Sequence, residues 1–192
     1  FRPCRYGQIV PIAEGMRVRF SDIGHLLGSA CIEFWLQEGG IEKKIVFSGD
    51  VGNIDQPILN DPQPVAETDY LVVESTYGNR LHDKPKDVRA ELTDVLQRAF
   101  DRGGSVIIPA FAVGRTQELL YLLREIKQKK LVHGHDGFPV YLDSPLAEEA
   151  TSVFLQCDTD CFDPETQKVL KSGQNPIWCP GLQLALTAED SK

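Results

Sequence analysis

Short apolar runs that alternate with polar positions dominate the first 80 residues, a pattern typical of half-buried β-strands. Residues 17–20 alternate in this way. The runs 31–36 and 44–47 flank a Gly-Gly pair at 39–40, which predicts a hairpin with a short loop. Residues 70–73 predict one more short strand, so this part of the chain is expected to be mostly β.

The pattern changes near residue 82, where apolar positions begin to recur every three or four residues. Two amphipathic helices are predicted, with apolar faces made of Val88, Leu92, Val95, Leu96, Ala99 and Phe100, and of Leu119, Leu120, Leu122, Leu123 and Ile126. Val106–Ile108 predicts a buried strand, and Val140–Leu142 predicts the next one. Ser144-Pro145 and Asp163-Pro164 each combine a capping residue with proline at the first helical position. Alternating helices and strands indicate a parallel sheet covered by helices.

Bulk composition, 42% hydrophobic and 25% charged, is that of an ordinary globular protein. No apolar run approaches the roughly 20 residues of a membrane span, so no membrane partner is expected. The net charge of −8 argues weakly against non-specific nucleic-acid binding, but it allows a local basic groove or a site where metal ions neutralise carboxylates. Five cysteines without a C-x-x-C pair favour packing thiols in a reducing cytoplasm.

Candidate chemistry lies in three short blocks, each directly after a run that reads as a buried strand. They are centred on His25 in GHLLGSA, Asp50 in FSGD and Glu74 in VESTYG. Taken singly, His25 could be structural, Asp50 could be a turn or cap residue, and Glu74 could merely end a strand. One histidine and one aspartate cannot hold a catalytic metal alone. The rest of any metal site is therefore expected to lie outside this chain.

Together with Pro109–Glu118 and Leu142–Ala147, these blocks resemble motifs of the metallo-β-lactamase-fold nucleases of the beta-CASP group. That group includes RNase J and the endonuclease of pre-mRNA 3′-end cleavage. The resemblance implies an α/β fold in which residues 1–80 are the C-terminal part of a metallo-β-lactamase αββα sandwich. It implies that residues 81–192 are the N-terminal part of an inserted parallel-sheet beta-CASP domain.

The resemblance also implies a zinc-dependent phosphodiesterase that acts on RNA, with a two-zinc site between the two domains. His25 would bind one zinc through a ring nitrogen, and Asp50 would bridge both ions, since a carboxylate has two oxygens and a full charge. Glu74 would belong to the catalytic machinery, near the proton donor. The His-x-His-x-Asp-His motif is expected before residue 1 and further histidine motifs after residue 192. We therefore expect an internal fragment that neither holds two zincs nor cuts RNA alone.

Other polar residues have competing interpretations. Arg115 stands at the start of a predicted helix, where a guanidinium and helix amides suit phosphate, so it is a candidate for substrate binding. It could equally be a structural residue that bonds a neighbouring loop. His82 is expected to be structural. His133 and His135 imitate the start of a zinc motif, but their glycine-rich surroundings predict a surface loop.

The leading hypothesis is a cytoplasmic, zinc-dependent ribonuclease of which this chain is a part. A small-molecule hydrolase of the same fold, acting on thioesters or lactams, is one alternative, although an inserted domain over the cleft favours a polymer. A non-catalytic scaffold that binds RNA or protein is another. The sequence leaves open whether cleavage is internal or from an end, which RNA is preferred, and the oligomeric state.

Overall fold

A computed structural model describes residues 1–81 and 87–185 of the chain. These residues form two compact units. The first contains Phe1–Leu81 together with Cys161–Asp163, and the rest of the described chain forms the second. The first unit is built on a mostly antiparallel sheet and the second on helices with a small parallel sheet. This mixed α/β architecture agrees with the expected succession of a mostly β part and an α/β part.

Five strands in the order β1-β2-β3-β4-β5 make the sheet of the first unit. They are β1 Val10–Ala13, β2 Met16–Asp22, β3 Ala30–Glu38, β4 Ile41–Phe47 and β5 Tyr70–Val72. The first four are antiparallel, and β5 joins β4 in parallel. The predicted hairpin is confirmed. Gly39 and Gly40 have φ angles of 57° and 80°, which glycine adopts without steric cost, and both lie in its two-residue turn.

Strand β5 differs from the sequence expectation, which took residues 70–73 as a buried run. Tyr70, Leu71 and Val72 are each more than half exposed. The reason is position: β5 is the last strand of the sheet and pairs only with β4 among the described residues. Apolar sequence predicted the strand correctly, but burial depends on neighbours that sequence does not name.

A buried carboxylate lies at the centre of this sheet. Glu33 is fully buried on β3 and accepts hydrogen bonds from Arg19 (2.7 Å and 2.8 Å) and from Ser21 (3.0 Å), while Lys44 Nζ lies 2.7 Å from its Oε2. Burial acts to raise the pKa of Glu33, but the hydrogen bonds from Arg19, Lys44 and Ser21 outweigh it and lower the pKa to about 2. The side chain is therefore held in its charged form inside the unit.

Among its described residues, the second unit contains four α-helices and two short strands. They are α1 Val88–Asp101, α2 Arg115–Gln128, β6 Val140–Leu142, α3 Pro145–Gln156, α4 Pro164–Lys171 and β7 Leu182–Leu184, with β6 and β7 parallel. Both predicted amphipathic helices are confirmed as α1 and α2. The predicted cap of α3 is also present, since Ser144 Oγ accepts a hydrogen bond from the amide of Ala147.

The predicted buried strand at Val106–Ile108 is wrong. The segment is not assigned as a strand, and Ile107 is 91% exposed. A cavity of about 640 Å³ is lined both by this segment and by β6, and no described strand pairs with residues 106–108. Apolar β-branched residues favour a strand only where a neighbour supplies hydrogen bonds and burial. Here no described strand supplies the hydrogen bonds, and of the three residues only Val106 packs against the core, where it is partly buried.

None of the described helices is long and apolar enough to cross a bilayer.

All five cysteines are free. Cys31 and Cys179 are buried among apolar side chains, and Cys4 is exposed. The cysteines therefore behave as separate thiols.

Candidate metal centre

The three sequence blocks meet at one end of the five-stranded sheet. His25 follows β2, Asp50 follows β4 and Glu74 follows β5, and the strand register brings these three strand ends to the same edge. The Nε2 atom of His25 lies 3.9 Å from the Oδ2 atom of Asp50. Both side chains are accessible, with 42% and 76% of their surface exposed. The structure thus brings together an imidazole and a carboxylate that are 25 positions apart in the sequence.

A compact loop holds the backbone of His25. The buried carboxylate of Asp22 accepts a hydrogen bond from the amide of Gly24 at 3.0 Å. The hydroxyl of Ser29 accepts hydrogen bonds from the amides of His25 (3.2 Å) and Leu26 (3.1 Å). Sequence reasoning missed Asp22 and the function of Ser29, although Asp-x-Gly is a recognisable turn signal in which the side chain bonds an amide two residues on.

Gly52 joins this loop to the loop of Asp50. Its amide donates a hydrogen bond to the carbonyl of Ile23 at 2.9 Å. A Cβ atom added at Gly52 would lie only 1.9 Å from the carbonyl oxygen of Gly24, and backbone cannot move aside as a flexible side chain can. Glycine is therefore required for the loops that carry His25 and Asp50 to approach this closely.

Replacing Gly52 with alanine should destabilise the protein by about 1–3 kcal/mol, the usual cost of forcing extra atoms into a packed site. It should also weaken zinc binding, because the loops of His25 and Asp50 must separate to admit the methyl group. Urea unfolding and zinc titration of the full-length protein would measure both effects. Gly137→Ala is the matched control, because an added Cβ there meets nothing within 4 Å. If both variants have the same stability and the same zinc affinity, the argument that the two loops need glycine at position 52 is wrong.

Glu74 contacts the Asp50 loop rather than standing apart from it. Its Oε1 accepts a hydrogen bond from the amide of Val51 at 2.6 Å, and its Oε2 accepts one from the hydroxyl of Thr76 at 2.7 Å. The hydrogen bond from Val51 has the largest effect and lowers the pKa of Glu74. The hydrogen bond from Thr76 and the nearby His25 lower it further. The carboxylate is accordingly charged and oriented.

The donor chemistry of this edge fits zinc, which binds imidazole nitrogen and carboxylate oxygen. Two donors on one tetrahedral zinc ion lie roughly 3.3 Å apart for bonds of 2.0–2.1 Å, so the observed 3.9 Å needs only a small inward movement. Within residues 1–81 and 87–185, no three His, Cys, Asp or Glu side chains are grouped as a metal site. His25 and Asp50 are thus two candidate ligands without a third beside them among the described residues, and their metal-binding roles stay predictions.

Arg115 lies in the second unit, at the first position of α2, with 62% of its side chain exposed. Its guanidinium donates to the carboxylate of Glu118, one turn further along the same helix. Burial raises the pKa of Glu118, and the charge of Arg115 opposes that effect. The observed partner is therefore on the helix itself and not on a neighbouring loop. A contact with substrate stays a prediction.

The other described histidines belong to the second unit. His133 and His135 lie in the surface loop between α2 and β6, as predicted, and His135 Nε2 lies 3.0 Å from an oxygen of Asp101. His82 is outside the described residues. The sequence at 133–136, which imitates a zinc motif, therefore belongs to a surface loop in which His135 contacts Asp101.

Comparison with known proteins finds relatives that are named as nucleases. The Beta-Casp domain family matches residues 116–192. A ribonuclease of Thermus thermophilus is 34% identical over 193 residues, which cover 100% of this chain and 42% of the relative. An RNase J-like protein of Methanocaldococcus jannaschii is 34% identical over 86% of this chain and 38% of the relative. Cleavage and polyadenylation specificity factor 73 of Drosophila melanogaster is 36% identical over 72% of this chain and 20% of its own length.

The matched relatives are much longer than the matched region, so this chain spans less than half of each of them. The similarity to the Thermus protein nevertheless runs along both units, and the Beta-Casp match lies in the second apart from residues 161–163. The order of sequence blocks and the mixed α/β architecture agree with this result. The chain belongs to the beta-CASP family of metallo-β-lactamase-fold proteins.

Proposed function

We propose that this chain is part of a zinc-dependent hydrolase that cleaves RNA phosphodiester bonds. The observation that carries the proposal is the approach of His25 Nε2 to Asp50 Oδ2 at 3.9 Å on an exposed edge of the sheet. Relatives named as a ribonuclease and an RNase J-like protein support RNA as the substrate class. Free thiols at all five cysteines suit a reducing cytoplasm, where we place the protein.

Each residue has a defined task in this proposal. His25 would bind zinc through one ring nitrogen, and Asp50 would offer its two oxygens to two ions. Bound zinc ions would supply a hydroxide at neutral pH and neutralise charge on the phosphate oxygens. Glu74 stays negatively charged beside them. Each carboxylate oxygen has two lone pairs, so its bonds to Val51 and Thr76 leave capacity to orient a proton donor.

The test offers labelled RNA and a small thioester to the full-length protein, with and without added zinc. We expect RNA cleavage that stops when a chelator removes the metal and returns when zinc is restored, because the nucleophile depends on the ions. Cleavage of the thioester alone would identify a small-molecule hydrolase instead. Binding of RNA without cleavage under any metal condition would favour a scaffold. Chelator-resistant cleavage of RNA would contradict the metal-dependent mechanism.

A further inference from the structure

We propose that Glu74 is a positioning residue for Asp50, an inference that rests on the proposed function. The hydrogen bond of its carboxylate to the amide of Val51 holds the loop that carries Asp50 against the end of strand β5. This task is distinct from any part that Glu74 has in proton transfer. It follows from three hydrogen bonds between residues 48–51 and 72–76, together with one hydrogen bond within the second of these segments.

The first contacts extend the pairing of β4 with β5 beyond the ends of both strands. The amide of Ser48 donates to the carbonyl of Val72 at 2.9 Å. The amide of Glu74 then donates to the hydroxyl of Ser48 at 3.0 Å. Ser48 itself is only 7% exposed, and these two bonds fix where the Asp50 loop begins.

The next contact fixes where that loop ends. Gly49 turns the chain with a φ angle of 60°, and the amide of Val51 then meets Oε1 of Glu74 at 2.6 Å. Asp50 therefore lies between two residues, Ser48 and Val51, that are both bonded to the Glu74 region. Its own side chain is 76% exposed, so packing contributes little to its placement.

The last contact orients the carboxylate itself. The hydroxyl of Thr76 donates to Oε2 of Glu74 at 2.7 Å, which leaves Oε1 directed at Val51. Hydrogen bonds to an ionised acceptor are stronger than those between neutral groups. In this proposal Glu74 does not bind the metal but orients a residue that does, through its hydrogen bond to the ligand's loop. Loss of such groups typically costs about 10–100-fold in metal affinity.

The test compares Glu74→Ala with Glu74→Gln in the full-length protein and measures zinc affinity by competition with a coloured chelator. Alanine removes the acceptor for Val51, so zinc should bind about 10–100-fold more weakly. Glutamine keeps an amide oxygen for Val51, and its amino group can donate to Thr76, so its affinity should stay within about threefold of wild type. Glu67→Ala, at an exposed position, controls for the lost charge.

Thermal melting of the metal-free variants separates a loss of folding from a loss of positioning. The proposal is overturned if folded Glu74→Ala binds zinc as tightly as wild type. It is also overturned if Glu74→Gln loses as much affinity as Glu74→Ala, since the charge and not the bond to Val51 would then matter. Failure of the wild-type protein to bind zinc at all would overturn the proposed function itself.

Discussion

Asp50→Ala is expected to reduce RNA cleavage by the full-length protein about a thousandfold or more. The substitution removes the carboxylate proposed to bridge two ions, and such metal sites supply several kcal/mol of transition-state stabilisation. A loss of about 4 kcal/mol corresponds to about three orders of magnitude in rate. Single-turnover cleavage of labelled RNA at saturating zinc would measure the effect without a contribution from product release.

Two further variants make this result specific. Asp50→Asn keeps the size of the side chain but loses its charge, so it should be almost as inactive. Glu38→Ala, at an exposed position in the β3–β4 hairpin, removes the same charge and should cleave like wild type. If Asp50→Ala cleaves RNA as fast as wild type, the bridging role is wrong.

Glu33→Gln is expected to lower the free energy of unfolding by about 3 kcal/mol. The fully buried carboxylate faces Arg19 and Lys44, and a neutral amide would leave their charges without compensation. The size of this loss in unfolding free energy follows from the depression of the Glu33 pKa from 4.5 to about 2, since each pKa unit corresponds to about 1.4 kcal/mol. Urea denaturation at neutral pH would measure it.

Acid titration gives this prediction a second signature. Because folding lowers the pKa of Glu33, its contribution is fully present above about pH 4.5 and is lost as pH falls towards about 2. The stability of wild type should fall across this interval more steeply than that of Glu33→Gln. Glu42→Gln is the matched control, since Glu42 pairs with Arg17 where both are about two-fifths exposed, and such pairs contribute about 0–1 kcal/mol. Equal losses of unfolding free energy in Glu33→Gln and Glu42→Gln would contradict the prediction.

Local sequence chemistry predicted most elements of the fold. The Gly-Gly pair at 39–40 set the hairpin turn, and Ser144-Pro145 set the start of α3. These signals act within a few residues, so the sequence alone expresses them. Val106–Ile108 was misjudged, and the exposure of β5 was not foreseen, because burial and strand pairing depend on which distant segments lie alongside.

The residues of the candidate site likewise fall into two groups: those that the sequence singled out and those whose importance appears only in the folded chain. His25 and Asp50 were singled out as candidate ligands because each residue type has metal chemistry and stands in a recognisable block. Gly52 was not found, because its importance arises from the carbonyl of Gly24, which lies close only in the folded chain. The contact of Glu74 with Val51 was missed for the same reason.

The return of the chain to the first unit has a consequence for any attempt to divide the protein. Phe162 is 1% exposed and forms a bridge with Leu59, and the amide of Asp163 donates to the carbonyl of Ile58. A truncation after Leu81 would remove these contacts and leave two apolar residues without their cover. The β-rich half is thus completed by a piece of polypeptide that is synthesised only after most of the α/β half, so ribosomal synthesis of residues 1–81 does not by itself deliver a finished unit.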